Sequence, residues 1–119
     1  MEDKLRWQGV PYPEFFKNLP EIEVPVPGVK GWLIQGKERQ VVFFELPEGL
    51  EVPAHSHGAQ WGMVIDGEMQ LTAGDETRVL KKGDSYVIPA GIVHSAVFLT
   101  TVYAVDVFAD PDRYKTKNK

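Results

Sequence analysis

The chain contains no cysteine. Disulfides, thiolate metal sites and cysteine nucleophiles are therefore excluded. No apolar run approaches the roughly 20 residues of a membrane-spanning helix. The first ten residues, MEDKLRWQGV, are charged and lack the apolar centre of a signal peptide. Basic residues are scattered apart from the tail RYKTKNK, and the net charge is −4. Phosphate binding needs a concentrated basic surface, so nucleic acid is not an expected partner. No glycine-rich run opens a helix, which removes a phosphate loop. Sustained helical spacing is missing as well. These absences read as a cytoplasmic protein without a membrane or nucleic-acid partner.

What is present fits one domain over residues 1–119. The chain is 43% apolar, enough for one core, and too short for two. Eleven glycines and nine prolines divide it into short β-branched and aromatic segments such as QVVFFEL, WGMVI, SYVIP and VYAVDVF. Turn signals separate them at 47–49, 66–67, 73–76, 81–84 and 89–91. Asp66-Gly67 is the strongest hairpin signal, because a type I′ turn needs positive φ at both central residues. The spacing predicts an all-β sandwich or barrel. PYPEFFKNLP at 11–20 has room for one short helical turn. Residues 1–20 read as an arm packed on the sheet or on a second subunit, and 114–119 as a frayed polar tail.

Histidine is scarce too, with three in the chain. Two of them, His55 and His57, are two positions apart and share a face if the segment is extended. Gln60 follows. His94 is distant in sequence, but a barrel would bring it beside the His-x-His strand. Three neutral imidazoles and an oxygen donor suit a divalent first-row transition metal. Packed or hydrogen-bonded core histidines would show the same pair. With every histidine in this group, no Ser-His-Asp arrangement remains.

Residues 49–98 resemble the two signature motifs of the cupin superfamily. Gly49 precedes five residues, then His55-x-His57, and Gly67 closes the first motif. Gln60 stands where the family carries Glu, after a gap one residue shorter than usual. Gly83 precedes five residues, then Pro89-x-Gly91, two residues and His94. Phe98 stands where the family often carries Asn. The resemblance implies a double-stranded β-helix, the jelly-roll barrel of RmlC-like proteins. It implies a divalent metal (nickel, zinc, manganese, iron or copper) held by His55, His57, Gln60 and His94. A neutral Gln leaves the ion its full double charge, which favours an anionic ligand. The resemblance also implies a homodimer, with the arm and an outer sheet at the interface, and the apolar QVVFFEL segment agrees with that.

The last strand-like run carries a second feature. If Val102 and Ala104 point inward, so do Asp106 and Phe108. A register shifted by one would turn Asp106 to solvent. Inside an apolar barrel, Asp106 would be poised as a general acid or base. The Asp-x-Phe pair is similar to that of KdgF-type cupins, which linearise unsaturated uronates. That resemblance implies a catalytic Asp106, a substrate-binding Phe108 and an Arg on the substrate carboxylate. Arg113 is the nearest match, one residue later than the pattern. The expected function is ring opening or tautomerisation of a small anionic sugar acid. The alternatives are a non-catalytic metal or small-molecule binder and a metal-dependent dioxygenase. Trp7, Trp32 and Trp61 are expected to pack, with Trp61 facing away from the cavity, Met63 and Ile65 sharing its face, and Met69 packing just past the turn. Glu68 or Gln70 is expected at the cavity mouth.

Overall fold

A computed structural model describes residues 11–117. It contains nine strands: β1 (Lys30–Gln35), β2 (Gln40–Leu46), β3 (Glu51–His55), β4 (Gln60–Asp66), β5 (Glu68–Ala73), β6 (Glu76–Lys81), β7 (Ser85–Ile88), β8 (His94–Phe98) and β9 (Val102–Phe108). They form two antiparallel sheets, in the orders β1-β2-β9-β4-β7 and β3-β8-β5-β6. This is the jelly-roll architecture. The one helical turn is a 3-10 turn at Phe16–Asn18, within the segment expected to hold it. Among the described residues, no helix is long and apolar enough to cross a membrane.

The sheets follow from strict alternation. Strands β2 and β9 bury every second residue from end to end. Val42, Phe44, Leu46, Val102, Ala104 and Phe108 therefore enter the core, joined by Val64, Met69, Leu71 and Ile88 from strands opposite and beside them. Burying side chains of this kind contributes about 1.5–3 kcal/mol each. The odd-numbered partners face outward. Ile34, Val41, Val107, Trp61 and Val87 align as one apolar row across the outer face of the five-stranded sheet.

Three local expectations change. Asp66-Gly67 does not close a hairpin, because β4 and β5 belong to different sheets. It is a corner. Gly67 has φ 95° and lies so close to the Thr101 carbonyl and Thr100 Oγ1 that a β-carbon would overlap both. The paired hairpin with a two-residue turn lies at Gly74-Asp75, where β5 pairs β6 up to Ala73↔Glu76. Residues 114–117 are not frayed: Gln40 Oε1 accepts from the Tyr114 N–H, Thr116 bridges Ile22, and the Lys117 N–H donates to Glu21. Part of the outward apolar face of QVVFFEL is covered by the chain itself. Tyr12 and Phe16 pack on Phe43 at ring separations of 5.8 and 4.7 Å, and the Tyr12 hydroxyl donates to the Phe44 carbonyl at 2.7 Å. The rest of the expected arm, with Trp7, lies outside the described residues. Trp32 is buried, and Trp61 faces outward.

Candidate metal centre

Strands β3 and β8 pair His55 directly with His94. A shift in register between Val52 and His55 lets the strand end turn inward. His57 lies beyond the strand, in the loop to β4. Its carbonyl accepts from the Gly91 N–H at 2.9 Å, which ties the Pro89–Gly91 turn to the His-x-His segment. Gly91 has φ 82°, a conformation open mainly to glycine. On the other side, Asp110 Oδ2 accepts from the Gly58 N–H at 2.8 Å. The loop is thereby held from both flanks. The three rings gather at centroid separations of 4.3, 4.8 and 5.3 Å, and one nitrogen from each lies within 4.8 Å of the others.

Hydrogen bonding selects which nitrogens face each other. Each Nδ1 lies on a backbone carbonyl: His55 on Pro53 at 2.9 Å, His57 on Gly58 at 2.8 Å and His94 on Ile92 at 2.9 Å. A carbonyl only accepts, so Nδ1 carries the proton and the neutral ring keeps its lone pair on Nε2. The Nε2 atoms of His57 and His94 are buried with no partner among the described residues. Burial also lowers the pKa of both rings, with the Arg113 charge acting in the same direction, so they stay neutral. Neutral, oriented imidazoles with orphaned Nε2 atoms fit a divalent transition metal.

The facing sheet supplies a second polar group. Gln60 and Phe108 form one cross-strand pair, and Gly62 and Asp106 form the next. Asp106 points inward and is 3% exposed. The Gln60 amide donates to Asp106 Oδ1 at 2.8 Å, and the Tyr86 hydroxyl donates to the same oxygen at 2.7 Å. Gln60 thus turns its nitrogen to Asp106 and leaves its carbonyl oxygen as the free end. Burial pushes the Asp106 carboxyl up to about 6, although both hydrogen bonds pull it down. Tyr86 is itself pushed up by burial and by the neighbouring Asp106 charge.

Tyr86 is the residue that sequence reasoning missed. Its signal was available: it sits two before Ile88 in SYVI and so shares the inward face. Gly62 makes its hydrogen bond possible, because a β-carbon there would overlap Asp106 Oδ1 and the Tyr86 ring and hydroxyl. Gly62→Ala is expected to lower stability by roughly 1–3 kcal/mol through overpacking. Thermal melting checks this, and an unchanged midpoint would mean that the three residues do not meet so tightly.

His55, His57, Gln60, His94, Asp106, Phe108 and Arg113 all line one cavity of about 330 Å³. Phe108 packs edge-on to His57 at 5.7 Å. The Arg113 guanidinium lies over the Tyr114 ring at 4.8 Å and over Phe108 at 5.8 Å. Its Nε is buried with no partner among the described residues. Glu68 and Gln70 do not line this cavity, whereas Met69 and Leu71 do. The corner at Gly67 carries the chain into the other sheet, where the odd-numbered residues of β5 face inward.

The likeness to known proteins agrees with this geometry. A family model described as Cupin domain matches residues 42–108. A Bacillus subtilis protein named H2HPP isomerase is 29% identical over 102 residues, which cover 76% of this chain and 43% of that one. The chain therefore spans less than half the length of that relative. The structure of an RmlC-like cupin from Shewanella frigidimarina superposes with TM-score 0.73 at 30% identity, covering 82% of this chain and 89% of that one. KdgF from a Halomonas species superposes with TM-score 0.69 at 26% identity, covering 77% and 86%.

Proposed function

The chain belongs to the Cupin domain family, and from that premise we propose that it is a metal-dependent isomerase of small carboxylic acids. The observation that carries this reading is the pairing of two groups in one cavity. One is a three-histidine cluster in which the Nε2 atoms of His57 and His94 are buried with no partner among the described residues. The other is a buried carboxylate steadied by Tyr86 and Gln60. His55, His57 and His94 would hold the ion, with the Gln60 carbonyl oxygen as fourth donor. A bound divalent ion supplies Lewis acidity toward a substrate oxygen.

The chain's own residues do the rest. Arg113 pairs with the substrate carboxylate. Phe108 braces His57 and narrows the cavity beside it. Asp106 takes a proton from one substrate atom and returns it to another. Its carboxyl sits near 6, so it both accepts and releases a proton close to neutral pH. Tyr86 and Gln60 hold Oδ1, which leaves Oδ2 for the transfer. The step moves a proton without net oxidation or reduction, so no further reactant is required. Ring opening or tautomerisation of an unsaturated uronate is the form this chemistry takes in KdgF-type proteins. The isomerase name of the Bacillus subtilis relative supports the same class of step. The reading includes a second copy of the chain against the apolar outer row.

The test is turnover in deuterium oxide. The chain is loaded in turn with nickel, zinc, manganese, iron or copper and incubated with an unsaturated uronate and with simple β,γ-unsaturated acids. Deuterium should enter product carbon or the product should open, as read by NMR. No exchange and no product with any metal and acid would remove the isomerase reading.

A further inference from the structure

The cavity is polar at one end and hydrocarbon beyond it. His55 and His94 form one cross-strand pair on the inner face of the β3-β8-β5 sheet. One row deeper, Val52 pairs with Ala96 and Ala96 with Leu71. Below that, Phe98 pairs with Met69. All five apolar residues line the cavity. Rows on one face are about 6.5–7 Å apart. A six-membered ring whose carboxylate lies at the histidine row therefore spreads over Val52, Ala96 and Leu71.

A further wall comes from the segment VPVPGV at 24–29, which the metal site does not use. Val24, Val26 and Val29 line the cavity there. The two intervening prolines have no N–H to offer a ligand. Several polar groups of the cavity are already committed, although Glu51, Ser95, Arg113 and Tyr114 also line it. The Tyr86 hydroxyl and the Gln60 amide both donate to Asp106, and each histidine Nδ1 is held by a carbonyl. Hydroxyl groups placed over this wall would meet methyl and methylene groups. Each one left unpaired weakens binding by roughly tenfold or more.

We propose that the acid bound here carries an apolar body, a carbocycle or branched hydrocarbon, in place of the hydroxyl-rich ring of a sugar acid. This rests on the reading of the site as one for a small carboxylate, and it narrows that reading. The carboxylate lies toward Arg113 and the histidines, and the body lies on Val52, Leu71 and the Val24–Val29 wall.

Two probes separate the possibilities, because both are six-membered rings with one carboxylate. Cyclohexanecarboxylate and D-galacturonate are titrated calorimetrically into the full chain, nickel-loaded and metal-free. The carbocycle should bind at least about tenfold tighter in both forms. Val52→Thr, which keeps the side-chain shape at a half-buried strand position, should reduce that ratio several-fold. Galacturonate binding as tightly or more tightly would overturn the apolar body and leave the small-acid site standing. An unchanged ratio in Val52→Thr would overturn the placement on this wall. Binding of neither acid up to its solubility limit would overturn both this inference and the reading beneath it.

Discussion

Replacing His57 with alanine is expected to strip the ion from the chain. Wild-type protein purified without an affinity tag should carry about one transition metal per chain, and the variant almost none. The effect should be large because His57 is fixed so fully. Its Nδ1 is held by the Gly58 carbonyl, its own carbonyl by Gly91, and its ring by Phe108. Disturbing a partner of a ligand already lowers metal affinity by 10–100-fold, so losing the ligand should exceed about 100-fold. The pH dependence has a definite sign. Burial lowers the folded pKa of His57 and His94 below the ordinary 6.5. Their neutral forms are then kept above 6.5 and lost only as pH falls through the lower folded values. Wild-type protein should retain its metal somewhat below pH 6.5 and release it on further acidification. Mass-spectrometric metal analysis across a pH series measures both effects. Equal metal content in wild type and variant would show that the histidines pack without binding an ion.

The parts of this centre that could be read from sequence depend on strict alternation. Asp106 follows Val102 and Ala104 at spacing two, and β9 keeps that spacing unbroken. His55 and His94 lie on strands that pair directly. Reading failed where the chain leaves one sheet for the other. Asp66-Gly67 has the composition of a hairpin, yet the approach of Gly67 to Thr100 and Thr101 makes it a corner. The inward face then passes to Met69 and Leu71 in place of Glu68 and Gln70. Tyr86 was legible in parity but not in role. A tyrosine beside an isoleucine reads as packing until Gly62 is seen to clear its path to Asp106. The tail showed the converse: a polar sequence is held by side-chain and backbone hydrogen bonds to Gln40, Glu21 and Glu23 that no local pattern announces.

Asp106→Asn should reduce turnover by roughly 10²–10⁴-fold while leaving metal content unchanged. Asparagine keeps an oxygen for the Tyr86 and Gln60 donors, so the site should hold its shape and lose only its proton acceptor. The same substitution should make the metal-free protein more stable, and the direction follows from linkage. The Asp106 carboxyl has an ordinary pKa of 3.8 and a folded value of about 6. Below 3.8 both folded and unfolded chains are protonated, and Asp106 carries no penalty. As pH rises from 3.8, the unfolded chain releases its proton and the folded chain retains it. Stability then falls until the folded group also ionises, near 6. A shift of about two units corresponds to about 3 kcal/mol at pH 7. Asparagine removes that penalty, so chelator-treated Asp106→Asn should melt several degrees above wild type at pH 7, and the gap should close toward pH 4. A buried carboxylate that weakens the fold at neutral pH is what a site whose chemistry overrides packing would show. If the variant melts with wild type at both pH values, burial does not strain the carboxylate. If it also turns over normally, the proton is moved by another group.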